Sequence, residues 1–211
     1  MIFFNSIEIT KSGRLQDLPW RIDGLRDLNV LIGPNGSGKT TIMGSLTDIP
    51  KTEWYKKYDT EATYVRRDEF KGPIDFYSLF YKEVVNVKQD VGEYKDPIWA
   101  FFDMENSRKS AGERSFQQIM DIKNVKNSIV FIDEMDASMD WGNQVKFFKK
   151  VKKLSEENQI FIATHSLIFC ALVHDVYDVK RRIWTDYDDI KKTSSLKERP
   201  VSRLSRLSTN T

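Results

Sequence analysis

One octapeptide, Gly33-Pro34-Asn35-Gly36-Ser37-Gly38-Lys39-Thr40, constrains the fold of this chain more than any other feature. It fits the pattern G-x-x-x-x-G-K-[ST] and lies between LNVLIG (28–33), which is typical of a buried strand, and a predicted helix from Lys39 to about Leu46. Its glycines allow backbone N–H groups to surround a phosphate chain, and the helix directs its positive end at the same phosphates. The octapeptide therefore predicts a nucleoside triphosphate site in an α/β fold.

We call residues 33–40 the phosphate loop. The ammonium group of Lys39 is suited to the β and γ phosphates, and the hydroxyl of Thr40 can ligate Mg²⁺. The residues that we expect to contact the nucleotide here are Gly33, Asn35, Gly36, Ser37, Gly38, Lys39, Thr40 and Thr41.

Carboxylates follow a second apolar strand, SIVFIDE (128–134). In phosphate-loop ATPases such a strand end helps to hold Mg²⁺, and a neighbouring Glu can polarise the attacking water. Asp133 fits the first role and Glu134 the second, although an acidic strand end taken alone is common. His165 ends the next apolar strand, in FIATHS, where a structural hydrogen-bonding role is the plainer alternative to a catalytic one.

Strands alternate with helices along the chain, which predicts an α/β fold with a mostly parallel sheet flanked by helices. Further strands are expected at the N-terminus (Ile2 to Ile9), at 62–65 and at 159–164. Further helices are expected from Phe76 to about Val87 with Asp75 as its cap, from Gly112 onwards, and from Gln144 to Leu154.

The ordered motifs GPNGSGKT, KSAGERS, VFIDEMDASMD and IFIATHS resemble those of the ATP-binding-cassette (ABC) ATPases. They are most similar to the soluble branch of the SMC, RecF and overcoming-lysogenisation-defect types. DEMDASMD (133–140) is closer to the D-E-[VI]-D-A-x-L-D of SMC-like proteins than to the D-E-P-T-S-A-L-D of transporter ATPases. Likewise, SAGE (110–113) is closer to S-x-G-E than to L-S-G-G-Q. The resemblance implies an N-terminal antiparallel β portion.

The resemblance also implies a mechanism in which two copies enclose two ATP molecules head to tail. Ser110, Gly112 and Glu113 of one copy would meet the γ-phosphate held by the other, although SAGE could also be a plain helix N-cap. Asp140 would communicate across the dimer, and His165 would sense the γ-phosphate. The implied catalytic residues are Glu134 and His165, and the implied Mg²⁺ ligands are Thr40 and Asp133.

The chain departs from the family pattern in three places. The family's Mg²⁺-contacting glutamine cannot be assigned, because ATYV is followed by Arg66-Arg67 and Gln89 is the downstream candidate. Three residues remain open for adenine stacking: Phe4, Arg14 and Trp20. Only 44 residues separate Val65 from Ser110, so the helical lobe must be small and a long SMC-type coiled coil is excluded.

The charge of the chain is uneven although its total is only +2. Residues 191–211 carry six basic residues and one acidic residue, which leaves −3 for residues 1–190. We therefore expect an ATPase domain over 1–190 and a basic, poorly ordered tail over 191–211, or alternatively an electrostatic arm for a partner. The N-terminus does not resemble a secretory signal, the apolar runs are short and Cys170 is the one cysteine, so we expect a soluble, cytoplasmic protein without an integral membrane segment.

Two functional hypotheses follow. The first is a soluble ABC-type ATPase that hydrolyses Mg-ATP as an ATP-dependent homodimer and acts on a protein or nucleic acid. The second is the ATP-binding subunit of an ABC membrane transporter. A lysine run at 146–153 suits nucleic acid but is more typical of a solvated helix face.

Overall fold

The computed structural model describes residues 3–48, 60–66, 75–80 and 125–195, with five helical residues between 113 and 120. The strands are β1 (Phe4–Lys11), β2 (Trp20–Asp23), β3 (Leu28–Ile32), β4 (Glu61–Arg66), β5 (Asp75–Phe80), β6 (Ser128–Asp133), β7 (Gln159–Ala163), β8 (Val176–Asp178) and β9 (Ile183–Thr185). The helices are α1 (Lys39–Asp48), α2 (Trp141–Ser155), α3 (Leu167–Leu172) and α4 (Tyr187–Ser195).

The strands form two sheets. The smaller is antiparallel with the order β2-β1-β4, which confirms the antiparallel N-terminal portion. The larger has the order β5-β6-β7-β3-β8-β9 and is parallel except where β9 pairs with β8. Since β3, β7 and β6 are parallel neighbours, their carboxyl ends meet at one edge of the sheet. The α/β fold class predicted from the sequence is confirmed.

The central strands have helices or strands on both faces. All six residues of β6 and all five of β7 are buried, as their uninterrupted apolar sequences predict. Because side chains alternate along a strand, Phe131 and Phe161 enter the core shared with α1 and the antiparallel sheet, whereas Val130 and Ile162 enter the core shared with α2 and α3. The central strands therefore pack against one hydrophobic core on each face of the sheet.

The predicted helix from Phe76 is wrong. Residues 75–80 form β5, which pairs in parallel with β6 from Asp75↔Ser128 to Phe80↔Asp133. Three of its six residues are aromatic, a composition that favours strands, and pairing with β6 supplies the backbone hydrogen bonds. The remainder of that predicted helix, to Val87, lies outside the described residues.

Several short elements were not predicted. β2 lies in a stretch rich in turn-forming residues, and two of its four residues, Trp20 and Ile22, are buried. The strands β8 and β9 and the helices α3 and α4 were also missed. The predicted domain boundary after residue 190 falls inside α4, and the tail beyond Ser195 lies outside the described residues, so the tail stays a prediction. Among the described residues, no helix combines the length and apolar composition that crossing a membrane requires.

Candidate active site

The phosphate loop joins β3 to α1, as the sequence predicts. Gly33 has φ +156°, and a Cβ built there would lie 2.6 Å from Ser37 Oγ. Gly38 has φ +96°, and its Cβ would lie 3.2 Å from Leu15 Cδ2. A side chain at either position would therefore meet a close neighbour in an unfavourable backbone conformation.

The ammonium group of Lys39 lies inside this loop. The residue is only 3% exposed, and its Nζ donates hydrogen bonds to the carbonyl oxygens of Gly33 at 3.1 Å and Pro34 at 3.4 Å. The same Nζ lies 3.0 Å from His165 Nε2 and 3.8 Å from Glu134 Oε1. The lysine thus contacts both residues that were predicted to be catalytic.

Glu134 and His165 meet because they follow the neighbouring strands β6 and β7. Glu134 has φ +53°, which is strained for a residue with a side chain, and its N–H donates to Ala163 O at 2.9 Å. Its Oε1 lies 3.0 Å from His165 Nε2. The same nitrogen, Nε2, can either donate a hydrogen bond to this carboxylate or accept one from Lys39, depending on the tautomer of the ring. The three groups therefore form one cluster in which His165 Nε2 lies between Lys39 and Glu134.

Asp133 and Thr40 are suited to bind Mg²⁺. Asp133 ends β6 and is 5% exposed, and Thr40 is half-buried in the first turn of α1. Mg²⁺ is usually bound by one or two carboxylate or hydroxyl groups together with substrate phosphates and water. A buried carboxylate beside a phosphate loop matches that donor set, so both residues fit the predicted role.

Asp136 is a buried acid near this site that the sequence analysis did not select. It is 3% exposed, and burial raises the pKa of its carboxyl above the ordinary value, although the hydrogen bond from Thr164 opposes that rise. Its position in DEMDASMD was used only as part of a motif. No local pattern distinguishes it, since its contact with Thr164 joins residues 28 positions apart.

The three site residues predicted from SAGE could be placed only in part. Ser110 and Gly112 lie outside the described residues. Glu113 is helical and exposed, and Ile119 is helical and buried against the core. The start of the predicted helix at Gly112 stays a prediction. The predicted contact of Ser110, Gly112 and Glu113 with a partner's nucleotide stays a prediction.

Asp140 is the N-cap of α2. Its Oδ1 accepts a hydrogen bond from the Asn143 backbone N–H at 3.0 Å, and its Oδ2 accepts one from Asn143 Nδ2 at 2.7 Å. Within the described chain, this carboxylate therefore has a structural role. Its predicted role across a dimer is not tested by these contacts.

The cap allows a stability prediction. We expect Asp140→Ala to lower the free energy of unfolding by about 1 kcal/mol, because the orphan N–H groups of α2 lose their acceptor. Asp140→Asn should retain most of the stability, since an amide oxygen can accept the same bond. Urea unfolding of both variants measures the difference. Equal stability of the alanine variant and the unsubstituted protein would show that the cap contributes nothing.

The burial of two side chains reduces the three candidates for adenine stacking to one. Phe4 is 1% exposed and Trp20 is 5% exposed, and both belong to the core. Neither ring offers a face to a base. Arg14 is exposed and precedes Leu15, the residue that lies against Gly38 of the phosphate loop. Arg14 therefore remains the candidate.

The strand β5 also changes where the missing glutamine should be sought. ATYV forms part of β4, which belongs to the antiparallel sheet. β5 is one of the two strands that end beside Asp133, and its last residue is Phe80. The residues that follow Phe80, including Gln89, lie outside the described part of the chain, so that role remains unassigned.

Comparisons with known proteins show what the sequence and the fold are similar to. No family model matches the chain. A Clostridium acetobutylicum protein described as an ABC transporter ATP-binding protein is 26% identical over 190 residues, covering 72% of this chain and 68% of the relative. A nucleotide-free ATP-binding cassette from an ABC transporter superposes with a TM-score of 0.53 at 15% identity, covering 92% of this chain and 96% of the cassette. The MJ1267 cassette of an ABC transporter gives 0.55 at 16% identity, with the same coverage.

These similarities support an ABC ATPase cassette. The solved cassettes match nearly the whole chain, so the fold is that of an ABC-type phosphate-loop ATPase. The curated relative adds similarity in sequence to an ATP-binding protein. The comparisons do not single out the SMC and RecF branch.

Proposed function

We propose that this chain is an ABC-type ATPase that binds and hydrolyses Mg-ATP. The main observation behind the proposal is that the side chains of Lys39, Glu134 and His165 lie in contact with one another. Glu134 and His165 follow β6 and β7, and Lys39 begins the helix after β3 and the phosphate loop. The three side chains lie within 3.8 Å of one another. An acid, a histidine and a phosphate-loop lysine at such distances suit phosphoryl transfer to water.

Each residue has a role in this mechanism. Lys39 exchanges its bonds with the loop carbonyls for the β- and γ-phosphate oxygens. Glu134 then faces the attacking water and accepts its proton, and His165 orients the carboxylate and contacts the γ-phosphate. Thr40 and Asp133 would hold Mg²⁺, which supplies positive charge to the phosphate oxygens as negative charge develops there.

A second copy of the chain completes the site in this proposal. The described residues supply the base of the nucleotide site, namely the phosphate loop, Glu134 and His165. Donors for the remaining γ-phosphate oxygens would come from Ser110 and from the helix that starts after Gly112, in a partner related by a two-fold axis. ATP, but not ADP, would therefore favour the dimer.

The partner of the ATPase defines two candidate functions. A soluble enzyme acting on a protein or nucleic acid is supported by DEMDASMD and by the lysines exposed on α2 at 146, 149, 152 and 153. A transporter subunit is supported by the description of the Clostridium acetobutylicum relative. We favour the soluble enzyme because its motif residues belong to this chain, whereas the alternative depends on a 26% identical protein.

The hydrolysis test is direct. We expect the purified protein to release phosphate from Mg-ATP and the Glu134→Gln variant to lose nearly all of that activity. Glu156→Gln is the matched control, because Glu156 is an exposed acid at the end of α2, away from the phosphate loop in sequence. A full rate in Glu134→Gln would disprove the role of Glu134.

The partner requires a separate experiment. If nucleic acid is bound through phosphates, filter binding of DNA or RNA should weaken steeply with salt, because each phosphate contact releases counterions. Absence of binding would remove the nucleic-acid hypothesis. Co-purification with a multi-span membrane protein would instead support the transporter subunit.

A further inference from the structure

A set of hydrogen bonds connects the loops that carry Glu134 and His165. Thr164 Oγ1 donates to Asp136 Oδ2 at 2.6 Å and accepts from the Ser166 N–H at 2.8 Å. Asp136 and Thr164 are 3% and 0% exposed. Since a buried polar group is costly without a partner, these bonds hold their loops more firmly than exposed ones would.

Gln144 closes these bonds into a ring. Ser166 Oγ donates to Gln144 Oε1 at 2.7 Å. Gln144 Nε2 donates to the backbone oxygens of Met139 at 3.0 Å and Asp136 at 3.4 Å. The ring therefore passes from the loop after β6 to the loop after β7, then to the first turn of α2, and back. We call Asp136, Thr164, Ser166 and Gln144 the loop ring.

The loop ring flanks the candidate site on both sides. His165 lies between two ring members, Thr164 and Ser166, so its backbone is fixed from both directions. Glu134 lies two residues before Asp136, and its carbonyl oxygen accepts from the Ala137 N–H at 3.1 Å, within the same turn. The 3.0 Å contact between Glu134 Oε1 and His165 Nε2 thus joins two loops that the ring holds at a set distance.

We propose that the loop ring positions His165 against Glu134, so that Thr164 and Gln144 are positioning residues for the reaction. This inference rests on the proposed ATPase function of the same site. The ring residues themselves do not touch the phosphates in this scheme. They act through His165 and Glu134, whose separation must be held closely for proton transfer.

The kinetic test uses a variant that lacks the Thr164 hydroxyl. Thr164→Val keeps the shape of the side chain but has no donor for Asp136 and no acceptor for Ser166. We expect kcat to fall by about tenfold to a hundredfold with KM for ATP changed by less than about twofold, because Lys39 and the phosphate loop are intact. Thr164→Ser restores the hydroxyl and should recover most of kcat. Gln144→Ala opens the ring at its half-buried side and should also lower kcat.

A second readout does not depend on hydrolysis. The chain has two histidines, His165 and His174, so imidazole NMR signals can be assigned with a His174→Gln variant. We expect the His165 signal to shift and broaden in Thr164→Val and to return in Thr164→Ser. The signal of His174, which is exposed, should stay unchanged in both.

The outcomes separate the two proposals. An inactive parent protein with a disturbed His165 signal in Thr164→Val would contradict the ATPase but support the loop ring. If the parent protein is active, and Thr164→Val has the same kcat and the same His165 signal as the parent, the positioning role of the loop ring is disproved. Equal movement of both histidine signals would show a general loss of structure and also overturn it. In a Glu134→Gln background, Thr164→Val should cause little further loss, because the ring acts through that residue.

Discussion

Lys39→Ala is expected to abolish measurable ATP binding. The ammonium group is buried within the phosphate loop, and we propose that it binds the β and γ phosphates. Charge-assisted hydrogen bonds contribute roughly 1.5–3 kcal/mol each. Loss of two such bonds would weaken binding by roughly 10²- to 10⁴-fold. Isothermal titration calorimetry with Mg-ATP measures this change.

The control is Lys149→Ala, which removes an exposed lysine from the middle of α2. Its affinity for ATP should equal that of the unsubstituted protein, because α2 contributes no part of the phosphate loop. Circular dichroism of both variants shows whether the fold is kept. If a folded Lys39→Ala protein binds ATP as tightly as the control does, the assignment of the phosphate loop is wrong.

The sequence was sufficient to predict the centre of the fold. β3, β6 and β7 are apolar runs buried on both faces, and each is followed by the polar residues of a recognisable motif. The local sequence therefore determined both the strand and the position of its functional end. The same reasoning places Lys39, Glu134 and His165 at one edge, since parallel neighbours end together.

The wrong helix at residues 75–80 and the missed contacts arose where residues distant in sequence determine the structure. Residues 75–80 become a strand because β6 offers a parallel edge, and β6 lies some fifty residues later in the sequence. The contact of Lys39 with His165 spans 126 positions, and that of Asp136 with Thr164 spans 28. Such contacts depend on the register of neighbouring strands and on loop geometry, which single-sequence patterns do not encode.

Glu134→Gln is expected to convert a transient ATP-dependent dimer into a persistent one. Glutamine keeps the shape of the side chain but is too weak a base to accept the proton of water, so ATP should remain bound. In the proposed mechanism, hydrolysis removes the γ-phosphate oxygens that Ser110 and the helix predicted after Gly112 of a second copy would contact. Since a ligand favours one state only through its differential affinity, ADP should not support the dimer.

Light scattering of the Glu134→Gln protein with Mg-ATP measures this change. The expected result is twice the mass of the 24.7 kDa chain with ATP and a single mass with ADP. Glu134→Gln combined with Ser110→Arg is the control, because a bulky cation at the proposed contact should block association while the phosphate loop still binds ATP. Glu156→Gln should behave as the unsubstituted protein does.

A Glu134→Gln protein that binds ATP but stays monomeric at tens of micromolar would contradict the homodimer. The hydrolysis site would then need its remaining γ-phosphate donors from a different ATPase chain, or the chain would act as a single-copy nucleotide switch. Calorimetry separates these outcomes from a failure of the site itself, because Lys39 and the phosphate loop should bind ATP in the monomer. Light scattering therefore tests the dimer, and calorimetry tests the nucleotide site separately.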